Sequence, residues 1–149
     1  MSEFKQISPE QITRSPFTLI GKDWALLTGG TPEKCNPMTV SWGGVGILWN
    51  KPVATVYVRP QRYTLGLLNE NEQFTLCFFA EGTHRSTLAY CGKASGRDTD
   101  KFKEMKLTPL PSQHISAPGI AESPLNLECR VKQVVELGSH DMFLAEIVG

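Results

Sequence analysis

LNLECRVKQVVEL (125–137), continued by GSHD (138–141) and returning as MFLAEIV (142–148), decides the fold class. Leu125, Leu127, Cys129, Val131, Val135 and Leu137 alternate with Asn126, Glu128, Arg130, Lys132 and Glu136. A period of two marks a strand with one buried face. Gly138-Ser139 fits a two-residue hairpin turn with glycine first, so the second run is expected to pair antiparallel with the first.

Working outward, WALLTGG (24–30), MTVSWGG (38–44), VATVYV (53–58) and QFTLCFF (73–79) read as further strands. The last is apolar on both faces and should be covered on both sides. TPEKCNP (31–37) reads as a turn-rich loop, and Gly43-Gly44 as a bulge or close approach. Helices are short: YTLGLLNEN (63–71), THRSTLAYCG (83–92) with Thr83 as cap and Gly92 closing it, and DTDKFKEMK (98–106) with Asp98 as cap. No strand is followed by a long amphipathic helix. The expected fold is mostly β with short helices, a closed or partly split antiparallel barrel with helices at its ends.

The 149 residues suit one domain. Fifteen basic residues balance fifteen acidic ones, which gives no electrostatic case for nucleic acid. No apolar run reaches membrane-spanning length, and MSEFKQISPE lacks the pattern of a signal peptide, so no membrane is expected and the cytoplasm is the default location. The cysteines at 35, 77, 91 and 129 form no C-x-x-C pair, and the three histidines are scattered, so no metal site is expected. Cys77 and Cys129 read as core thiols, and Cys35 as a thiol in a polar loop.

Four stretches bear on chemistry. RPQRYT (59–64) lies where a strand passes into a helix. The first N–H groups of a helix lack partners and attract anions, phosphate above all. Arg59 and Arg62 add planar donor forks, and Tyr63 and Thr64 add hydroxyls. The alternative is a loop with two solvated arginines. NPMTVSW (36–42) combines Asn36, Met38, Thr39, Val40, Ser41 and Trp42. Trp42 or Met38 could pack on a planar ligand whose polar edge meets strand backbone; the plain reading is a strand start. In SGRDTDKF (95–102) Gly96 permits a sharp turn, and Arg97 and Lys101 could extend a phosphate pocket. His140 follows the tight turn and should sit at a barrel mouth, where solvated histidines are commoner than catalytic ones. No G-x-G-x-x-G, P-loop or G-x-S-x-G is present.

In order and spacing, NPMTVSWGG, NKPVATVYVRPQRYT and GKASGRDTDKF together resemble the flavin reductase-like family, which binds FMN on a split β-barrel, and in particular its flavoredoxin-like members. GSHDMFLAEI resembles that family's G-D-H segment, with Ser139 in place of the acidic residue. The resemblance spans about 120 residues, from WALLTGG to FLAEIV. It implies a homodimer with flavin near the interface. Asn36, Met38, Thr39, Val40, Ser41 and Trp42 would surround the isoalloxazine and ribityl chain. Arg59, Arg62, Tyr63 and Thr64 would surround the phosphate, with Ser95, Gly96 and Lys101 close by. His140 would contact NADH or NADPH. The implied cofactor is FMN, or FAD in its place, and the implied activity is NAD(P)H:flavin oxidoreduction or flavoredoxin-like electron transfer, serving a monooxygenase or another redox partner. A non-catalytic flavin carrier or sensor is the alternative. A hydrolase or transferase using Ser41 or Cys35 lacks a placed base. Members of the family usually continue some tens of residues past this point, so the chain reads either as a short member or as a sequence that ends early; a tail that covers the flavin would, if missing, weaken its binding.

Overall fold

A computed structural model describes residues 4–149. Seven strands form one antiparallel sheet in the order β2-β1-β5-β8-β9-β4-β3. They are β1 (Ala25–Thr31), β2 (Lys34–Val40), β3 (Gly43–Leu48), β4 (Lys51–Val58), β5 (Gln73–Phe78), β8 (Leu125–Glu136) and β9 (Asp141–Ile147). Two-residue strands β6 (Pro109–Leu110) and β7 (Gly119–Ile120) pair separately. The helices are α1 (Pro16–Gly21), α2 (Tyr63–Glu70), α3 (Arg85–Lys93) and α4 (Lys101–Glu104).

Alternation along the strands builds the core. Leu27, Met38, Val40, Ala54, Val56, Val58, Phe74, Leu76, Phe78, Cys129, Phe143 and Ala145 all turn to one inner cluster. The sheet curls around it and leaves β2 and β3 as its two edges, which makes a split barrel. The other faces of β1 and β5, through Leu26, Cys77 and neighbouring Phe79, pack on Leu88, Cys91, Phe102 and Leu107 beneath α3 and α4. QFTLCFF is thus covered on both sides, as its two apolar faces require. Among the described residues no helix is long and apolar enough to cross a membrane.

The β8–β9 hairpin forms as its alternation predicts. Leu137 N donates to His140 O at 2.9 Å around Gly138-Ser139, and Gly138 has φ +93°. A bulge between Val131 and Gln133 shifts the alternation in mid-strand, so Leu137, expected inward, is 52% exposed. Other expectations are corrected. TPEKCNP is not a loop: only Pro32-Glu33 turn, and β2 starts at Lys34, because an edge strand tolerates Pro37. Cys35 therefore lies on a strand, half-buried, with its thiol pushed up to about 11 by burial and then by Asp100 and Glu33. MTVSWGG divides at Ser41-Trp42 into the end of β2 and the start of β3. Thr83 does not cap α3: His84, at φ +55°, holds that position, while the Thr83 hydroxyl donates to Ala80 O. Gly92 lies inside α3, which runs on to Lys93. Asp100, not Asp98, caps α4, accepting from Lys103 N at 3.3 Å.

Candidate anion and planar-ligand site

The strand-to-helix joint forms as the sequence indicates. β4 ends at Val58, Arg62 N donates to Arg59 O at 3.0 Å across the turn, and α2 begins at Tyr63. Tyr63 and Thr64 open the helix, so their N–H groups have no intrahelical acceptor. The Thr64 side chain is fully buried and accepts from Asn36 Nδ2 at 2.8 Å, tying the joint to β2. The 95–97 loop closes over this pair. A Cβ on Gly96 would stand 2.5 Å from both Asn36 Oδ1 and Tyr63 Cδ2, so only glycine lets the backbone approach so near. The Arg97 guanidinium lies 5.8 Å from the centre of the Tyr63 ring. Three stretches far apart in sequence thus meet at one place.

The cations there behave in two ways. Arg59 and Arg97 are exposed. Arg62 instead donates to Gly92 O at 2.8 Å and Cys91 O at 3.2 Å. Lys101, only 2% exposed, donates from Nζ to Pro37 O and Cys91 O, both at 3.0 Å. The two side chains therefore satisfy the end carbonyls of α3, where cations are favoured. Among the described residues none of these four cations pairs with a carboxylate. Burial, followed by the Arg59 charge, lowers the Arg62 pKa. Burial pushes Lys101 down to about 8; the Cys91 thiol opposes that shift and Arg62 reinforces it. The result is a cationic centre without an internal counter-charge.

β2 supplies the neighbouring edge. Met38 and Val40 turn into the barrel core, so their side chains are not free to cover a ligand and what they can offer is backbone. The Thr39 hydroxyl donates to Leu88 O at 2.5 Å. β2 has a strand partner on one side only, and on its outer side Lys101 already holds Pro37 O. Ser41 is half-buried, and Trp42 is 58% exposed with its ring 4.9 Å from that of His140 at 51°. His140 also lies 3.0 Å from the Ser139 hydroxyl. Asp141 pairs with Val58, so the hairpin end carrying His140 stands beside the strand end that leads into Arg59.

The arrangement can take an anion at the start of α2 and a flat ring along the open edge near Trp42. The exposed Arg59, Arg97 and Trp42 leave it open to solvent as a shelf. Two clefts, of about 1050 Å³ along Phe4–Ile12 and Pro124–Glu128 and about 780 Å³ along Glu70–Gln73 and Gln113–Ser116, lie away from it. Sequence reasoning grouped Lys101 with the phosphate ligands and missed the Cys91 and Gly92 carbonyls that hold it and Arg62. No periodicity signals a lysine buried at the first turn of so short a helix.

Residues 18–149 match the family described as flavin reductase like domain. An uncharacterised protein of Archaeoglobus fulgidus is 32% identical over 116 residues, which cover 78% of this chain and 64% of that one. The chain thus spans somewhat under two thirds of that relative's length. Among solved structures, flavoredoxin of Desulfovibrio vulgaris (Miyazaki F) superposes with a TM-score of 0.77 at 25% identity, covering 98% of this chain and 75% of that one. Flavoredoxin from Methanosarcina acetivorans does so with 0.75 at 29% identity, covering 99% and 74%. With its split barrel and the family match across nearly its whole length, the chain belongs to the flavin reductase-like family.

Proposed function

We propose that this chain is an FMN-binding oxidoreductase, acting as an NAD(P)H-dependent flavin reductase or as a flavoredoxin-like electron-transfer protein. The observation that carries this reading is the cluster of Arg59, Arg62, Arg97 and Lys101 around the start of α2, which among the described residues has no carboxylate partner. A phosphate ester supplies the missing negative charge, and the N–H groups of Tyr63 and Thr64 supply aligned donors. The likeness to two flavoredoxins supports the same reading. A bound flavin supplies hydride and single-electron chemistry. The residues of this chain do the rest. Arg59 and Arg97 attract the phosphate, the β2 edge offers backbone donors to the ring's polar rim, and Trp42 shields one ring face. FMN fits this donor set better than FAD, because the helix start presents one compact anion site.

Purified protein is expected to bind FMN, with a shifted absorbance spectrum and altered fluorescence, and to bind riboflavin more weakly. Equal affinity for the two would remove the phosphate from the reading. The carrier alternative draws on one observation: His140 rests against Trp42, next to Ser139 rather than an acidic residue. Anaerobic NADH or NADPH bleaches the flavin of a reductase and leaves that of a carrier unchanged.

The open shelf and the exposed Ile47 and Trp49 on the β3–β4 hairpin also support a homodimer in which a second copy covers the flavin. Sedimentation should then give twice the chain mass; a monomer with full FMN affinity would exclude this arrangement.

A further inference from the structure

We propose that Lys101 is a positioning residue, which never touches the ligand and sets anion affinity from beneath the site through its charge and its hold on Arg62 and β2. This rests on the phosphate-binding reading above. The ammonium is buried, with two of its three protons on Pro37 O and Cys91 O. Cys91 O also accepts from Arg62, so the two cations share one acceptor and fix each other. Pro37 follows Asn36, whose amide holds Thr64. One side chain thus braces β2, the end of α3 and the guanidinium at the start of α2.

The charge has a separate consequence. The groups facing Lys101 are the Cys91 thiol on α3, Arg62 before α2 and the Pro37 carbonyl of β2; beside it Asp100 caps α4 and acts on the β2 thiol of Cys35. Among the described residues no carboxylate pairs with Lys101. Burial has already weakened its hold on the proton, to about 8. A bound anion stabilises the charged form, so binding takes up a proton and affinity falls as pH rises through that range. A neutral amine still has two protons for the two carbonyls, so the brace survives while the charge is lost.

The test compares FMN with riboflavin by fluorescence titration between pH 7 and 9. Riboflavin shares the ring and its ionisations and lacks the phosphate. If the anion raises the Lys101 pKa by about one unit, the FMN-to-riboflavin affinity ratio should fall roughly fivefold over this interval. In Lys101→Met the ratio should be low at pH 7 and flat with pH. A wild-type ratio that is itself flat, or a Lys101→Met protein that keeps the wild-type ratio and slope, overturns the proposal. Wild-type protein that binds neither flavin defeats the functional reading instead. The inference then still faces a flavin-free measurement, titration of the Lys101 13Cε resonance, assigned by its loss in Lys101→Arg or Lys101→Met. Its midpoint should lie well below that of ordinary lysines and rise with inorganic phosphate; an ordinary or phosphate-insensitive midpoint rules the proposal out, even if Lys101→Met fails to fold.

Discussion

The two edges of the sheet are built differently. The β2 edge is backed by α2, α3 and α4, and its Asn36, Pro37, Met38 and Val40 are buried. Side chains from other elements fasten it, through Asn36 to Thr64 and Lys101 to Pro37 O. The β3 edge contains Gly43, Gly44 and Gly46, and it exposes Ile47 at its tip. Its helical neighbour is the short α1. At the β2 edge, where the proposed ligand would sit, buried polar and cationic bonds fix the backbone. At the other edge the chain leaves apolar surface uncovered.

Substitutions of matching size test this contrast. Gly30→Ala should have the largest effect. Gly30 has φ +105°, and an added Cβ would collide with the Lys34 carbonyl oxygen in the β1–β2 hairpin. A loss of at least about 3 kcal/mol is expected in urea unfolding. Next, Gly96→Ala should reduce FMN affinity more than tenfold, with a smaller loss in urea midpoint than Gly30→Ala, because it displaces Asn36 and Tyr63 at the shelf itself. Comparable losses in stability and in binding would show that the loop serves the fold instead. Arg62→Ala should weaken FMN binding by about 1.5–3 kcal/mol, and riboflavin binding less. At the opposite edge Gly46→Ala should change stability by no more than about 0.5 kcal/mol, since nothing stands within 4 Å of the new methyl. A large effect there would mean that the edge is already covered.

A pH comparison sharpens the same contrast. Lys101 holds its proton less tightly folded than unfolded, since its folded pKa of about 8 lies below the ordinary 10.5. Between these values the unfolded chain binds more protons, so stability should rise with pH across that window. Lys101→Met should lack this rise, as read from urea midpoints at pH 7.5 and 9.5.

Much of the fold was legible because hydrophobic alternation is local. The β8–β9 hairpin, the start of α2 and the doubly covered β5 all follow from patterns a few residues long. The start of β2 was hidden by Pro37, which breaks most strands but sits harmlessly on an edge. The bulge at Val131–Gln133 left no mark in composition and sent Leu137 outward. The β3–β4 hairpin was missed because its tip lacks the usual glycine. At the site, the strand-to-helix joint at Arg59–Thr64 was legible from residue types on either side of it. The destination of Arg62 and Lys101 was not, because it depends on where α3 ends in space.

That missing glycine has a cost. Trp49 and Asn50 form the two-residue turn of the β3–β4 hairpin with φ +56° and +58°. Asparagine tolerates this left-handed geometry, but a tryptophan there forgoes about 1–2 kcal/mol of backbone comfort. Its indole is 60% exposed, so interior packing does not return that energy. Exchanging Trp49 for glycine should make the isolated fold harder to melt while erasing an exposed aromatic knob on that rim, a trade the natural sequence has declined.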